Sequence, residues 1–221
     1  MAQVLRLTGY GPSVYTWAAR LALAEAGAAF DFVDVDPFAE AGQAQLIPLH
    51  PFGRVPVLEH GAFRLWETAA ILDYVDAEFA GGQMTPGTAR PRARMRQVIG
   101  IVDAYGYWPL VRQVFSQRVF GPLQGEAADE AEIAAGLDRA GPVLTALEAI
   151  AAEGLVLNPG RVTLADCHLL PMLAYFAQAP DGAETLGAYP ALGAWYAAME
   201  ARRTVRDTMP ALGVEMTGET G

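Results

Sequence analysis

His50-Pro51-Phe52-Gly53-Arg54-Val55-Pro56-Val57-Leu58-Glu59 runs directly into His60-Gly61, and Phe63-Arg64-Leu65-Trp66-Glu67-Thr68-Ala69-Ala70-Ile71 follows. The fold turns on this stretch. Val55 to Glu59 and Phe63 to Leu65 are short strands around a Gly-containing turn, which predicts an antiparallel hairpin. Proline within a strand removes a ladder hydrogen bond and belongs at an edge or a turn. A Val55–Pro56 bond at the start of a hairpin can be cis, which turns the Val55 N–H and C=O outward. An extended peptide could pair with that backbone as an added strand. A plain edge-strand proline fits equally well. Glu67 to Phe79 then reads as a helix with Ala70, Ile71, Tyr74 and Val75 on one face. At Glu67-Thr68 a strand gives way to this helix, whose free N–H groups suit a carboxylate. Glu67 adds an anion for an ammonium group. Together they would fit an amino-acid end carrying both charges, although ordinary helix capping by Thr and Glu explains the pair too.

Upstream, Val4-Leu5-Arg6-Leu7 is a short strand closed by Gly9 and Gly11-Pro12. Val14 to Ala26 is rich in Ala and Leu and stops at Gly27, a helix with a glycine terminator. Phe30 to Val35 alternates in part and reads as a second strand. Strand, helix, strand over this length implies a parallel pair with a right-handed crossover. A less regular stretch, 36–51, leads to the hairpin. The order β-α-β-(α)-β-β-α is that of a thioredoxin-like α/β domain, placed at 1–80. Glycine and proline mark 81–90 as a linker. Beyond it, Met95/Val98/Ile99/Val102, Leu169/Met172/Leu173/Phe176 and Leu192/Trp195/Tyr196/Met199 are apolar helical stripes. They predict an all-α domain over 91–221, with a frayed tail at 218–221.

Of the 221 residues, 52% are hydrophobic and 18% charged, a balance that supports a core and opposes disorder. The formal net charge of −10 argues against a nucleic-acid partner, which needs a basic surface. Arg90, Arg92, Arg94 and Arg96 alternate at a helix start and read as a solvated entry. The single cysteine, Cys167, lies in an apolar helical stretch and reads as packing. The histidines His50, His60 and His168 show no metal-ligand spacing, so no metal is expected. No apolar run is long enough for a bilayer. The N-terminus lacks a leader pattern, so a cytoplasmic location without membrane attachment is expected.

The ordered motifs resemble the cytosolic glutathione S-transferase family, in its serine-using phi, tau, theta and zeta classes. Gly11-Pro12-Ser13 through Arg20 to Gly27 looks like the family's first strand-to-helix segment. His50-Pro51-Phe52-Gly53-Arg54-Val55-Pro56 is similar to its Asn-Pro-x-Gly-x-Val-Pro loop, and Glu67-Thr68-Ala69-Ala70-Ile71-Leu72-Asp73-Tyr74 to its Glu-Ser-x-Ala-Ile-x-x-Tyr helix start. Val162-Thr163-Leu164-Ala165-Asp166 looks like its Thr-x-Ala-Asp segment, physically a capping box. Tyr189 to Trp195 and Arg202 to Val205 resemble its last helices.

The resemblance implies the thioredoxin-like plus helical fold, glutathione as co-substrate and a homodimer. Phe52 sits in the loop that in several classes inserts an aromatic into the partner. Ser13 should donate a hydrogen bond to the glutathione sulfur, with Tyr10 as the competing hydroxyl. Val55 should pair with the cysteinyl unit, with Pro56 in cis. Glu67 and Thr68 should hold the γ-glutamyl end, with His50 and Arg54 near the tripeptide. The segment 40–46 lacks the His-Lys pair that phi-class enzymes use on the glycine carboxylate. A small hydrophobic electrophile should lie between the domains, against Tyr15, Tyr105, Tyr107, Trp108 and Phe115, with Gly106 and Pro109 kinking their helix. A glutathione-dependent isomerase and a non-catalytic binding module are the alternative activities on this fold.

Overall fold

The computed structural model describes residues 4–212; the tail at 218–221 lies outside them. Helix α1 (Val14–Glu25) shows how local signals become architecture. Ser13 is extended at φ −72° and ψ 124°, and its side chain accepts the Thr16 N–H, a helix N-cap. Ala- and Leu-rich turns follow, and the chain leaves the helix at Gly27 with φ +65°, a left-handed turn open to glycine. Trp17, Leu21 and Leu23 are fully buried.

The sheet order is β2-β1-β3-β4. Strand β1 (Leu5–Gly9) runs parallel to β2 (Asp31–Asp34) and antiparallel to β3 (Val57–His60), which forms the expected hairpin with β4 (Phe63–Trp66). The β3 ladder begins at Val57, after the proline that has no N–H to give. The Val55–Pro56 bond is cis. A short helix, α2 (Glu40–Leu46), lies in the stretch without clear pattern, and α3 (Thr68–Phe79) follows β4.

The chain then becomes helical: α4 (Ala89–Ile101), two π segments (Val102–Gly106 and Trp108–Phe120), α5 (Gly121–Leu123), α6 (Glu130–Glu153), α7 (Leu164–Gln178), α8 (Pro180–Leu186), α9 (Pro190–Glu200) and α10 (Arg203–Thr208). The expected kink at Gly106 and Pro109 takes another form. Tyr107 N–H donates to the Val102 carbonyl and Gly121 N–H to the Ser116 carbonyl. These five-residue turns make a widened helix, around a proline without an N–H. It lies close against α6 at Gly136, where a Cβ would come within 2.7 Å of Gln113 Cβ.

Helix α7 is the axis of the helical half, with every residue from Leu164 to Phe176 buried. Asp166 accepts the Thr163 backbone N–H at 2.7 Å, the Thr163 hydroxyl at 2.5 Å and the Trp195 indole N–H at 2.6 Å. Burial pushes its carboxyl pKa up, and these donors only partly oppose that. The other face of α7 packs on α1, so a single core joins both halves. The Tyr175 hydroxyl donates to the Pro12 carbonyl at 2.8 Å, Trp17 Nε1 donates to Thr208 Oγ1 at 3.1 Å, and Arg202 pairs with Glu25 at 2.7 Å. Arg94 and Arg96 pair with Glu153 and Asp73 on exposed surface, as a solvated helix entry would.

Asp166→Ala leaves the Trp195 and Thr163 N–H groups buried without an acceptor. It should cost about 3–5 kcal/mol of stability, read as a lowered urea midpoint at unchanged slope.

Candidate active site

A cavity of about 650 Å³ lies between the loops and helix starts at one end of the sheet and the widened helix, and one of about 270 Å³ adjoins it. Tyr15, Arg54, Val55 and Asp103 border both.

The smaller cavity gathers His50, Pro56, Glu67 and Thr68, which the hairpin and the α3 start bring together. Among the described residues, nothing bonds the Val55 N–H or C=O. Glu67 stands as the N-cap of α3 at φ +72° and ψ 116°, with no capping bond from its side chain. Ordinary capping therefore does not explain the Glu67-Thr68 pair. A non-glycine residue in this region is strained and persists only where its surroundings hold it. Thr68 follows, 7% exposed, at a helix end whose first N–H groups have no helical partner. His50 is tied into the loop: its Nδ1 accepts the Phe52 N–H at 3.1 Å, and its ring lies 5.1 Å from that of Trp66. Burial lowers its pKa, and Glu67 opposes that less strongly, so the imidazole is neutral at pH 7.

Ser13 borders the larger cavity. Its oxygen accepts the Thr16 N–H at 3.3 Å, which leaves the hydroxyl proton to donate elsewhere. Tyr10 borders the same space, edge-on to Phe38 at 5.9 Å. Burial, then Asp36 and Asp34, raise its pKa, so it stays a neutral phenol. Tyr15 packs 5.2 Å from Tyr107, and burial and then Asp103 push its hydroxyl pKa up. Asp103 itself holds Nε2 of the fully buried His168 at 2.8 Å.

Tyr107, Trp108 and Phe115 border the larger cavity; Tyr105 does not. Tyr105 is 68% exposed and faces away. The wall is built from rows at every fourth position, 103/107/111/115 and 108/112/116/120, and position 105 falls between them. Asp103, Arg112, Ser116 and Tyr175 are among the further lining residues, and the sequence pointed to none of these four as site residues. The fourfold recurrence was the available signal for Asp103, Arg112 and Ser116. Tyr175 arrives from α7 and had no local one. Cys167 takes no part: it is fully buried, and burial raises its thiol pKa well above the usual value.

Comparison with known proteins follows this geometry. Residues 3–77 match the model of the glutathione S-transferase N-terminal domain, and residues 130–198 that of a glutathione S-transferase C-terminal domain. The chain is 30% identical over 193 residues to glutathione S-transferase 3 of Zea mays, covering 86% of each. A theta-class glutathione S-transferase from Xanthomonas axonopodis pv. citri, solved with glutathione bound, aligns at a TM-score of 0.75 and 28% identity over 95% of this chain and 99% of that one. Glutathione S-transferase I from maize, in complex with an atrazine glutathione conjugate, aligns at 0.77 and 25% over 93% and 96%.

The Glu67 backbone yields a stability test independent of any ligand. Glu67→Gly should be more stable than Glu67→Ala by about 1 kcal/mol, because only glycine adopts this backbone without steric cost. Paired thermal melts check it, and equal melting temperatures would remove the strain.

Proposed function

Because the chain belongs to the glutathione S-transferase family, we propose that its paired cavities hold glutathione and a small apolar electrophile, with Ser13 stabilising the sulfur anion. The enzyme is a glutathione transferase and glutathione is its co-substrate. The γ-glutamyl carboxylate takes the N–H groups at Thr68, and its ammonium takes Glu67. The cysteinyl unit pairs with the Val55 backbone, and the sulfur then points toward Ser13. His50 and Arg54 border the tripeptide. The electrophile lies against Tyr15, Tyr107, Trp108 and Phe115.

The observation that carries this reading is the Ser13 hydroxyl. Its oxygen is fixed by the Thr16 N–H, and its proton is available to the cavity. A thiol of pKa about 8.5 is mostly protonated at pH 7, whereas the thiolate is the nucleophile. Lowering that pKa by about two units needs about 2.7 kcal/mol. One charged hydrogen bond and a helix N-terminus supply energy of this size. The thiol proton passes to water. The sulfur lone pair then attacks carbon: an S–C bond forms, and the bond to the leaving group breaks with its electron pair going to that group. Presence of Ser13, Glu67 and Thr68 around one connected space supports catalysis over a binding module.

We place the domain boundary in 81–90 and the enzyme in the cytoplasm. Among the described residues, no helix is long and apolar enough to cross a membrane. We also propose a homodimer. Phe52 is 66% exposed on the loop before Val55, a cost that a partner subunit would remove by covering it.

Ser13→Ala should raise the apparent pKa of bound glutathione by about one to two units and slow turnover at pH 7, with little change in glutathione affinity. A pH–rate profile checks this. A normal profile for Ser13→Ala beside a shifted one for Tyr10→Phe would move the role to Tyr10. Light scattering at micromolar concentration should return twice the chain mass, and Phe52→Asp should lower it toward the monomer.

A further inference from the structure

We infer that the preferred electrophile carries an anionic group, a carboxylate on a flat apolar body, and that Arg112 reads it; the inference rests on the transferase reading above. The sequence has 25 acidic and 15 basic residues, so most arginines find an oxygen partner within the fold. In the helical half, Arg94 pairs with Glu153, Arg96 with Asp73, Arg118 with Glu130 and Asp181, Arg202 with Glu25 and Arg203 with Asp207. Arg139 donates to Gln113, and Arg161 and Arg206 to main-chain carbonyls. Among the described residues Arg112 makes no such bond, and it borders the larger cavity.

Its surroundings suit a particular ligand. Trp108 stands one step before it in the same row, and Ser116 and Phe120 follow, so an exposed cation shares this stretch of wall with two flat apolar rings. A guanidinium presents paired donors that match a carboxylate. Two other charges border this cavity: Asp103, held by His168, and Arg54, which borders both cavities and which the reading above gives to the tripeptide. An acidic aryl halide bound this way keeps its carboxylate on Arg112. The sulfur lone pair forms the S–C bond at the ring carbon, and the halide leaves with the bonding pair.

The test compares kcat/KM for a chloronitrobenzoate and the matching neutral chloronitrobenzamide. Taking the ratio acid to amide within each enzyme removes the difference in ring reactivity. Arg112→Ala should lower that ratio about tenfold, the scale of a charged hydrogen bond at a partly exposed site, and Arg112→Lys should retain part of it. An unchanged ratio overturns the inference. So does a rise in the glutathione KM that is the same with both probes, since Arg112 would then serve the tripeptide. If the native enzyme turns over neither probe, it is the transferase reading that fails. Calorimetry with nitrobenzoate and nitrobenzamide then decides Arg112 separately, and a preference for the acid that Arg112→Ala leaves intact overturns the inference.

Discussion

The Tyr175 hydroxyl, from the axial helix of the second half, donates to the carbonyl of Pro12, the residue before Ser13. The site depends on this bond. Within the sheet half the loop from Tyr10 to Ser13 is held by Tyr10 N–H donating to Thr16 Oγ1 at 3.2 Å and Gly11 N–H donating to Asp34 Oδ1 at 3.0 Å, and it must aim a short hydroxyl with little freedom. The phenol anchors it from α7, and Phe115 stacks on that phenol at 4.1 Å. One aromatic thus touches the turn that carries Ser13 and the wall of the larger cavity. The chain of support continues inward, because α7 is buried from Leu164 to Phe176 and its first turn is held by Asp166. A carboxylate deep in the helical half therefore contributes to the position of a hydroxyl in the sheet half.

Much of this was legible locally. The proline before β3, the hairpin turn and the strand-to-helix change at Glu67-Thr68 are determined by neighbours in sequence, and they placed most of the smaller cavity. The larger cavity was less legible because it is assembled from distant elements. Asp103 and Arg112 lie on a helix whose turns are wider than the 3.6-residue period used to read it. Tyr105 was assigned to the cavity as one of several nearby aromatics, but its angular position turns it to solvent. Tyr175 reads as another apolar-stripe neighbour until α7 is laid against α1.

Glu67 was legible as a charge but not as a conformation. Local rules would put glycine at φ +72°. A functional site is where such rules are expected to break, because the side chain is needed where the backbone is least comfortable. The cost is borne beside a well-packed helix: Ile71, Leu72 and Val75 of α3 are fully buried. Rigidity behind the strained residue keeps it from relaxing.

The widened helix has a consequence for how this protein could diverge. Its cavity-facing rows are fixed by register as much as by residue identity. Losing one residue from a helical segment rotates everything after it by about 100°. A single deletion near Pro109 that left the wide turns as they are would carry Arg112, Ser116 and Phe120 off the wall together and present their neighbours instead, whereas one absorbed by closing a wide turn would leave them in place. The sheet-half residues of the smaller cavity would stay in place. Ligand preference could therefore change in one genetic step that substitutes no residue lining the cavity.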